Sequence, residues 1–381
     1  MVPSRQNLAI KPRKTLRNVI IGLALLGGGA VAYAGYLLHQ ADKALENMSV
    51  APPVKTTQQG LNGLVAPAEN FKPMTFLLTG IDSRDGSGGT LNTDVLMLVT
   101  LNPETRSATI VSIPRDLEMK PKEFGLSSQK ANYYYAHYYI QDKDTAIQKT
   151  KELYGNMFNV PIDYMAAIDF DGFRNVVDEL GGIEMNVDMD MRYVDEEDGT
   201  NINLKKGFQT LNGKQTLDFL RYRKSNRGTE ESSDLARNQR QQEVLDKLLQ
   251  KMTSFSGITQ WSGLLKIAGE SVKTDIPADE LRRFLLSFQK LKPDHIEFIH
   301  LDGRWDSPFI VVKEDELTAA IASLRTQRGL PAEIPGTTVT GSTYSLYSKR
   351  FGIDPAPVKS KEKEKQKEME TDTMTKNGRS R

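Results

Sequence analysis

The sequence predicts an α/β fold: an α/β/α sandwich with a central mixed β-sheet, preceded by one transmembrane helix. Short runs of β-branched and aliphatic residues that end in turn signals predict buried strands. Amphipathic helical patterns lie between these runs, and such alternation is typical of helices that cover both faces of a sheet. A long uncharged run near the N terminus predicts the membrane span.

The transmembrane helix is predicted at residues 18–38, since no charge occurs from Val19 to Leu38. At about 1.5 Å rise per residue, this run crosses a hydrocarbon core of about 30 Å. Residues 1–17 carry basic side chains and no acidic one, which predicts a cytoplasmic basic tail and an extracellular body. A cleaved signal peptide is the alternative, because small residues around 30–34 resemble a cleavage region.

Three further segments follow the span. Residues 39–70 are polar and contain three prolines, which predicts an extracellular linker. Residues 71–330 are predicted to form one catalytic domain, because no Pro/Gly-rich linker interrupts them. Residues 331–381 form a C-terminal extension whose charged tail is rich in Lys and Glu and is predicted to be disordered.

The strands and helices of the body are predicted from the period of the apolar residues. The predicted strands are Met74–Leu78, Val95–Leu101, Ala108–Ile113, Met165–Phe170, Ile183–Val187, Ile296–Leu301 and Phe309–Val312. The predicted helices are Thr145–Tyr154, Phe173–Leu180, Leu235–Met252, Leu281–Leu291 and Leu317–Leu324. Strands and helices alternate along the chain, which favours a sheet with parallel and antiparallel pairs.

Composition excludes several classes of function. The formal net charge is +1 over 381 residues, so an anion site requires local clusters of arginine. Cysteine is absent, which excludes disulfides and thiolate metal sites, and the four histidines lack a paired zinc spacing. The chain has no glycine-rich phosphate loop of the Walker type and no basic domain, so a nucleic-acid partner is not expected.

Two carboxylates stand at neighbouring strand ends. Asp82 follows the first predicted strand, and Asp94 begins the second. Antiparallel neighbours would bring these carboxylates within a few ångströms of each other. Paired carboxylates with open positions suit Mg²⁺, which shares its oxygen ligands with substrate phosphates. The alternative is that each aspartate caps a turn.

Basic residues also stand at the predicted ends of strands and at the start of a helix. Pro114 is predicted to end the third strand and to direct Arg115 away from the sheet edge. The alternative is an ordinary surface ion pair between Arg115 and Asp116. Arg221 and Arg223 would point to one side of an extended segment, where two guanidinium forks fit a diphosphate. Arg237 and Gln241 are four residues apart in the first turns of a helix. A solvated basic strand and an ordinary polar helix face are the alternatives for these last two groups.

The ordered set of motifs resembles the LytR-CpsA-Psr family over about residues 72–252. The stretches that carry the resemblance are Gly80-Ile81-Asp82-Ser83-Arg84, Thr93-Asp94, Ser112-Ile113-Pro114-Arg115-Asp116, Asp178-Glu179-Leu180-Gly181-Gly182-Ile183, Leu211-Asn212-Gly213, Arg221-Tyr222-Arg223 and Arg237-x-x-Arg240-Gln241-Gln242. The predicted N-terminal anchor agrees with this family.

The resemblance implies a single-pass cell-membrane phosphotransferase with an extracellular catalytic domain. Such enzymes move an anionic glycopolymer, teichoic acid-like or capsular, from a polyprenyl-pyrophosphate carrier to a MurNAc hydroxyl of peptidoglycan through a phosphodiester. By their motifs, Asp82, Asp94 and Arg115 are expected to be catalytic, and Asp82 and Asp94 to hold Mg²⁺ or Mn²⁺. The residues expected to bind the pyrophosphate are Arg84, Arg115, Arg221, Arg223, Arg237 and Gln241.

The sequence departs from the family pattern at three places, of which one is the altered lead-in to the last helix, Ser233-Asp234-Leu235-Ala236-Arg237. Asn92 stands where the family often has Arg, and His137-Tyr138-Tyr139 replaces a glycine pair. Two alternatives therefore stay open: a non-catalytic polymer-binding or regulatory membrane protein, and a lipid-pyrophosphate hydrolase. The tyrosines from Tyr133 to Tyr139 would stack on sugars or pack in the core. The apolar face from Phe173 to Leu180 would line a prenyl slot or form plain core.

Overall fold

The computed structural model describes residues 39–50, 71–81, 91–196, 199–232, 234–252, 254, 260–332 and 346–354. The strands in these ranges are β1 Met74–Ile81, β2 Thr93–Asn102, β3 Ser107–Ser112, β4 Glu118–Met119, β5 Gln129–Lys130, β6 Tyr164–Asp169, β7 Ile183–Val187, β8 Met191–Asp195, β9 Thr200–Leu204, β10 Gly207–Leu211, β11 Val272–Thr274, β12 His295–His300, β13 Gly303–Asp306, β14 Phe309–Lys313 and β15 Ile353–Asp354.

The α-helices complete the described elements. Residues 39–48 are helical and are called α1. The helices that follow are α2 Tyr133–Gln141, α3 Ala146–Phe158, α4 Phe170–Glu179, α5 Gly213–Arg221, α6 Asp234–Met252, α7 Trp261–Ser271, α8 Ala278–Leu286, α9 Phe288–Leu291, α10 Glu314–Gln327 and α11 Leu346–Arg350.

The central sheet has six strands in the order β11-β6-β1-β2-β3-β12. Strand β1 is antiparallel to β2 and parallel to β6, and β3 is antiparallel to β2 and parallel to β12. The predicted mixed sheet is therefore confirmed. Strands β1, β3, β6 and β12 finish at the same end of the sheet, where β2 begins. We call this the upper end of the sheet.

Two hydrophobic clusters hold the described body together. The first packs the sheet against α3 and α10, through residues such as Leu98, Phe158 and Leu324. The second surrounds β7 and contains Val177 of α4 and Val244 of α6. Because α4 follows β6 directly and enters the second cluster, it ties the second cluster to the upper end of the sheet.

Some predicted elements differ in their partners or bounds. The strand predicted at Ile183–Val187 forms, but it pairs with β10 in a separate two-stranded sheet. The helix predicted at Leu281–Leu291 is divided at Ser287, which has φ −99° and ψ 9° and serves as the C-cap of α8 and the N-cap of α9. Local apolar spacing predicts an element without fixing its partner strand or an interruption of this kind.

The described body reaches beyond the predicted domain limits on both sides. Helix α1 lies within the segment predicted as a linker, and its Ala44 packs closely on Gly269 of α7. Phe351 is fully buried in the first cluster, and β15 adds a strand beside β14. The predicted tail from 355 onward lies outside the described residues.

Among the described helices, none is long and apolar enough to cross a membrane. The transmembrane helix predicted at 18–38 lies outside the described residues, as does the basic tail before it.

Helices α4 and α5 cross at a glycine. The backbone N–H of Gly213 donates to Asp178 Oδ1 at 2.7 Å. A Cβ added at Gly213 would lie 2.1 Å from the carbonyl oxygen of Arg174. Asn212 caps the start of α5 in a reciprocal pair of hydrogen bonds with Gln215. The Asn212-Gly213 motif therefore sets where α5 runs, and with it the position of Arg221 at its last residue.

Gly213→Ala is expected to lower the free energy of unfolding by about 3 kcal/mol, because the added methyl group meets a helix backbone that has no room to yield. Denaturant unfolding followed by circular dichroism measures this change. Gly155→Ala in α3 is the control, since its added Cβ would lie 3.3 Å from the nearest atom. An equal loss in both variants would contradict the close crossing of α4 and α5.

Candidate functional site

Asp94 and Arg115 meet at the upper end of the sheet. Asp94 is the second residue of β2, and Arg115 lies three residues after β3, the antiparallel neighbour of β2. Arg115 Nη1 donates to Asp94 Oδ1 at 2.8 Å. The Arg115 side chain is 51% exposed and that of Asp94 21%. The pair therefore joins two strand ends while its guanidinium still faces solvent.

A second carboxylate supports the Arg115 guanidinium. Arg115 Nε lies 3.5 Å from Asp116 Oδ2. Burial disfavours the charged form of Arg115, but Asp94 and Asp116 outweigh it, so the pKa of the guanidinium is raised above its ordinary value. A guanidinium has five N–H donors, so contacts to two carboxylates leave donors for a further anion. Arg115 is thus a fixed positive charge that can also bind phosphate oxygens.

The backbone around this pair is fixed by Asn132, which precedes α2. The N–H of Asn132 donates to the carbonyl of Arg115 at 3.0 Å, and the N–H of Thr93 donates to the carbonyl of Asn132 at 3.3 Å. The N–H of Ala131 also bonds the carbonyl of Leu117 at 2.8 Å. Both site residues therefore stand next to hydrogen-bonded backbone, which limits how far they can move apart.

Lys130 and Trp305 extend the site on the side of Asp116. Lys130 Nζ lies 2.7 Å from Asp116 Oδ1 and 5.5 Å from the centre of the Trp305 ring. Sequence reasoning missed Trp305, because it lies on a hairpin about 190 residues further along the chain than Asp116. An isolated tryptophan in a polar stretch gave no signal of its own.

Arg221 approaches the upper end from the other side. Its guanidinium carbon lies 5.6 Å from the centre of the Phe170 ring, and Phe170 comes directly after β6. A Cβ added at Gly80 of β1 would lie 3.4 Å from that same ring. Arg221 is therefore held near the end of β1. Asp82 is the first residue after this strand.

The extended conformation predicted for Arg221 and Arg223 is wrong. Arg221 is the last residue of α5, and Tyr222 is its buried C-cap with φ −60° and ψ 120°. The hydroxyl of Tyr222 donates to the carbonyl of Glu230, and the N–H of Ser232 donates to the carbonyl of Arg223 at 2.9 Å. The helix formed because Asn212 and Gln215 cap it. Arg223 is exposed on the loop that Tyr222 anchors.

Helix α6 carries Arg237 and Gln241 one turn apart. Both side chains are partly buried, and among the described residues Gln241 Oε1 is buried with no hydrogen-bond partner. Between them in the motif, Arg240 is 3% exposed and donates to both oxygens of Asp188 at 2.9 and 2.7 Å. Arg240 therefore fastens α6 to the chain after β7, a structural role that the sequence reading did not assign.

Two predicted site residues, Asp82 and Arg84, lie outside the described residues. Ile81, the last residue of β1, pairs with Thr93 of β2. Asp82 and Asp94 are the residues that follow these two partners in the chain. Within the described ranges, no group of three or more His, Asp or Glu side chains could hold a metal ion. A carboxylate oxygen of Asp94 suits Mg²⁺, and the pairing with Asp82 stays a prediction.

Two groups of apolar side chains, the tyrosines of α2 and the apolar face of α4, were predicted either to contact a ligand or to form core. Tyr134, Tyr135 and Tyr138 are buried in α2, and the Tyr134 hydroxyl donates to the Met119 carbonyl at 3.0 Å. These rings are core, as one of the two interpretations predicted. Val177 of α4 and Leu180, its C-cap residue, are likewise buried, which favours core packing for that face.

Known proteins resemble this chain over most of its length. The LytR_cpsA_psr family matches residues 35–325. Two relatives are named polyisoprenyl-teichoic acid–peptidoglycan teichoic acid transferase TagU, from Bacillus subtilis at 33% identity and from Bacillus licheniformis at 32% identity; each match covers 71% of this chain and 81% of the relative. The crystal structure of B. subtilis TagV aligns with a TM-score of 0.52 and 28% identity, over 68% of this chain and 98% of that one.

Proposed function

Since this chain belongs to the LytR-CpsA-Psr family, we propose that it transfers an anionic glycopolymer from a polyprenyl-pyrophosphate carrier to peptidoglycan. The relatives named as teichoic acid transferases support this reaction class. The observation that carries the proposal is the Asp94–Arg115 pair, a carboxylate and a half-exposed guanidinium fixed 2.8 Å apart at the end of the sheet where Arg221 also lies.

The proposed step exchanges one phosphorus–oxygen bond for another. A MurNAc hydroxyl oxygen attacks the phosphorus that bears the glycopolymer, and a new P–O bond forms. The bond from that phosphorus to the bridging oxygen breaks, and polyprenyl monophosphate leaves with the electron pair. The hydroxyl proton passes to a carboxylate, for which Asp94 is our candidate. The product is a phosphodiester between glycopolymer and peptidoglycan.

Positioning and charge neutralisation are the main demands of phosphoryl transfer. Arg115 meets both demands, because two carboxylates orient its guanidinium and its half-exposed side chain keeps N–H donors for phosphate oxygens. Arg221, held over Phe170, would supply positive charge on the opposite side of the transferred group. Arg223, Arg237 and Gln241 on the adjoining loop and helix would bind the rest of the pyrophosphate, as would Arg84.

We further propose that Asp94 and Asp82 hold Mg²⁺ or Mn²⁺. The ion would supply positive charge to the phosphate oxygens. Asp94 is suited to this role because it stands at a strand end, is only 21% exposed and contributes carboxylate oxygens. Arg115, which bonds one of these oxygens, would keep the carboxylate in a fixed orientation.

The proposed location is the outer face of the cell membrane, with the N terminus in the cytoplasm. The uncharged run ending at Leu38 supports a span. The described part of helix α1, residues 39–48, packs on the body through Ala41, Ala44 and Leu45. The body would then lie close to the membrane that contains its lipid-linked donor.

Release of polyprenyl monophosphate tests the proposed reaction. Full-length protein in detergent is incubated with Mg²⁺ and a short-chain polyprenyl-pyrophosphate glycan, with and without peptidoglycan oligomers. We expect release that depends on the acceptor. Equal release without acceptor would make the protein a lipid-pyrophosphate hydrolase, and donor binding without any release would make it a polymer-binding protein.

A further inference from the structure

An exposed tryptophan stands beside the site on a rigid hairpin. Trp305 of β13 is 53% exposed and is among the most exposed large apolar side chains of the described chain. A half-exposed indole next to polar and charged side chains offers an apolar face on which a ligand can pack while its polar groups stay solvated. The proposed reaction assigns it no role.

The hairpin of β13 and β14 is anchored firmly to the body. Val311 and Val312 of β14 are buried, and the Ile310 N–H donates to the carbonyl of Asp116 at 2.8 Å. A Cβ at Gly303 would lie 2.4 Å from the Ile310 side chain, so the two strands are in close contact. Trp305 is therefore presented on a fixed support, and a ligand would not have to order it first.

A continuous set of contacts connects Trp305 to the Asp94–Arg115 pair. The ring centre lies 5.5 Å from Lys130 Nζ, which lies 2.7 Å from Asp116 Oδ1. The other oxygen of Asp116 lies 3.5 Å from Arg115 Nε, and Arg115 bonds Asp94 at 2.8 Å. A molecule that contacts the indole can thus extend a hydroxyl toward Asp94 along this row of side chains.

The two sides of the site differ in their balance of charge. Between 221 and 227 the chain has four basic residues and no acidic one. Around the hairpin, Arg304 is paired with Asp354 at 3.1 Å and with Asp306 at 3.6 Å, and Lys130 is paired with Asp116. The basic loop suits the polyanionic donor, whereas the hairpin has no excess of positive charge to bind it. An uncharged sugar ring is the partner that fits the hairpin.

We propose that Trp305 and Lys130 form the acceptor subsite, where a hexosamine ring of peptidoglycan stacks on the indole. Sugar rings present a face of C–H bonds and a rim of hydroxyl and amide groups, which matches an exposed indole bordered by an ammonium and carboxylates. This inference rests on the proposed function, because it assigns the acceptor to one side of the Asp94–Arg115 pair and the donor to the other.

The test measures acceptor binding and transfer in the full-length protein. Calorimetry with a tetrasaccharide of N-acetylglucosamine gives the affinity for a neutral hexosamine chain. The acceptor and donor KM values come from the release of polyprenyl monophosphate. Trp305→Ala is expected to weaken tetrasaccharide binding and raise the acceptor KM by about tenfold, with the donor KM unchanged. Trp305→Phe, which keeps an aromatic face, is expected to recover most of both.

Phe208→Ala is the matched control, because Phe208 is a 73% exposed aromatic residue on β10, away from the central sheet. It is expected to leave every value unchanged. Unaltered affinity and acceptor KM in Trp305→Ala, with transfer intact, would overturn the subsite and leave the proposed function standing. Binding that depends on Trp305 in a protein that performs no transfer would support the subsite and refute the transferase.

Discussion

Arg115→Ala is expected to lower kcat/KM for transfer by about 10²- to 10³-fold, the usual cost of removing one preorganised donor to a developing charge. The loss is expected because Arg115 is bonded to Asp94, is half exposed and keeps N–H donors for phosphate oxygens. Initial rates of polyprenyl monophosphate release over a range of donor concentrations, at saturating acceptor, measure it. Arg115→Lys, which keeps the charge but not the fork, should recover only part of the rate.

Arg106→Ala is the matched control for this change. Arg106 also forms an ion pair with an aspartate, Asp294, but it precedes β3 and therefore lies at the opposite end of the same strand. Both pairs are at least partly exposed to solvent, where ion pairs contribute little to stability, so neither variant should unfold. Similar transfer rates in the Arg115 and Arg106 variants would refute a role for Arg115 in the reaction.

Asp94→Asn is expected to remove transfer to a similar or greater extent and to weaken Mg²⁺ binding by at least about tenfold. Asparagine has nearly the same volume and can still accept a hydrogen bond from Arg115, but it can neither take a proton nor offer a charged metal ligand. Transfer is measured as for Arg115, and calorimetric titration with Mg²⁺ reports binding without any turnover.

Asp294→Asn is the control for the carboxylate, since Asp294 accepts two hydrogen bonds from Arg106 at 2.5 and 2.8 Å. It is expected to keep both transfer and Mg²⁺ binding. If Asp94→Asn bound Mg²⁺ as the parent does but still lost transfer, Asp94 would act on the proton and the metal assignment would fail.

The strands and the upper end of the sheet were predictable because their signals are local. Apolar runs such as Met74–Leu78 end at turn residues, and such runs mark buried strands. Once β1, β2 and β3 are adjacent, Asp94 and Arg115 must lie at the same end. The structure places them in direct contact, with Arg115 Nη1 2.8 Å from Asp94 Oδ1, a pairing that the sequence analysis did not predict. The metal pair stays a prediction, because Asp82 lies outside the described residues.

The misjudged features depend on contacts between distant residues or on a cap that was overlooked. Arg221 ends a helix whose signal was present in the sequence, an Asn followed three residues later by Gln. Trp305 offered no such signal, because its hairpin reaches the site through contacts between residues far apart in the chain, such as the pairing of Ile310 with Leu117. The burial of Phe351 likewise requires packing on Phe158, nearly 200 residues earlier in the chain.

The mass of the acceptor after reaction shows whether the protein joins glycopolymer to peptidoglycan. Full-length protein is incubated with Mg²⁺, the polyprenyl-pyrophosphate glycan and peptidoglycan oligomers, and the oligomers are analysed by mass spectrometry. We expect a phosphodiester product with the parent and with Arg106→Ala and Asp294→Asn, and at most a trace with Arg115→Ala or Asp94→Asn. Unmodified oligomers with the parent, or the same product yield from the Arg115 and Asp94 variants, would contradict the account.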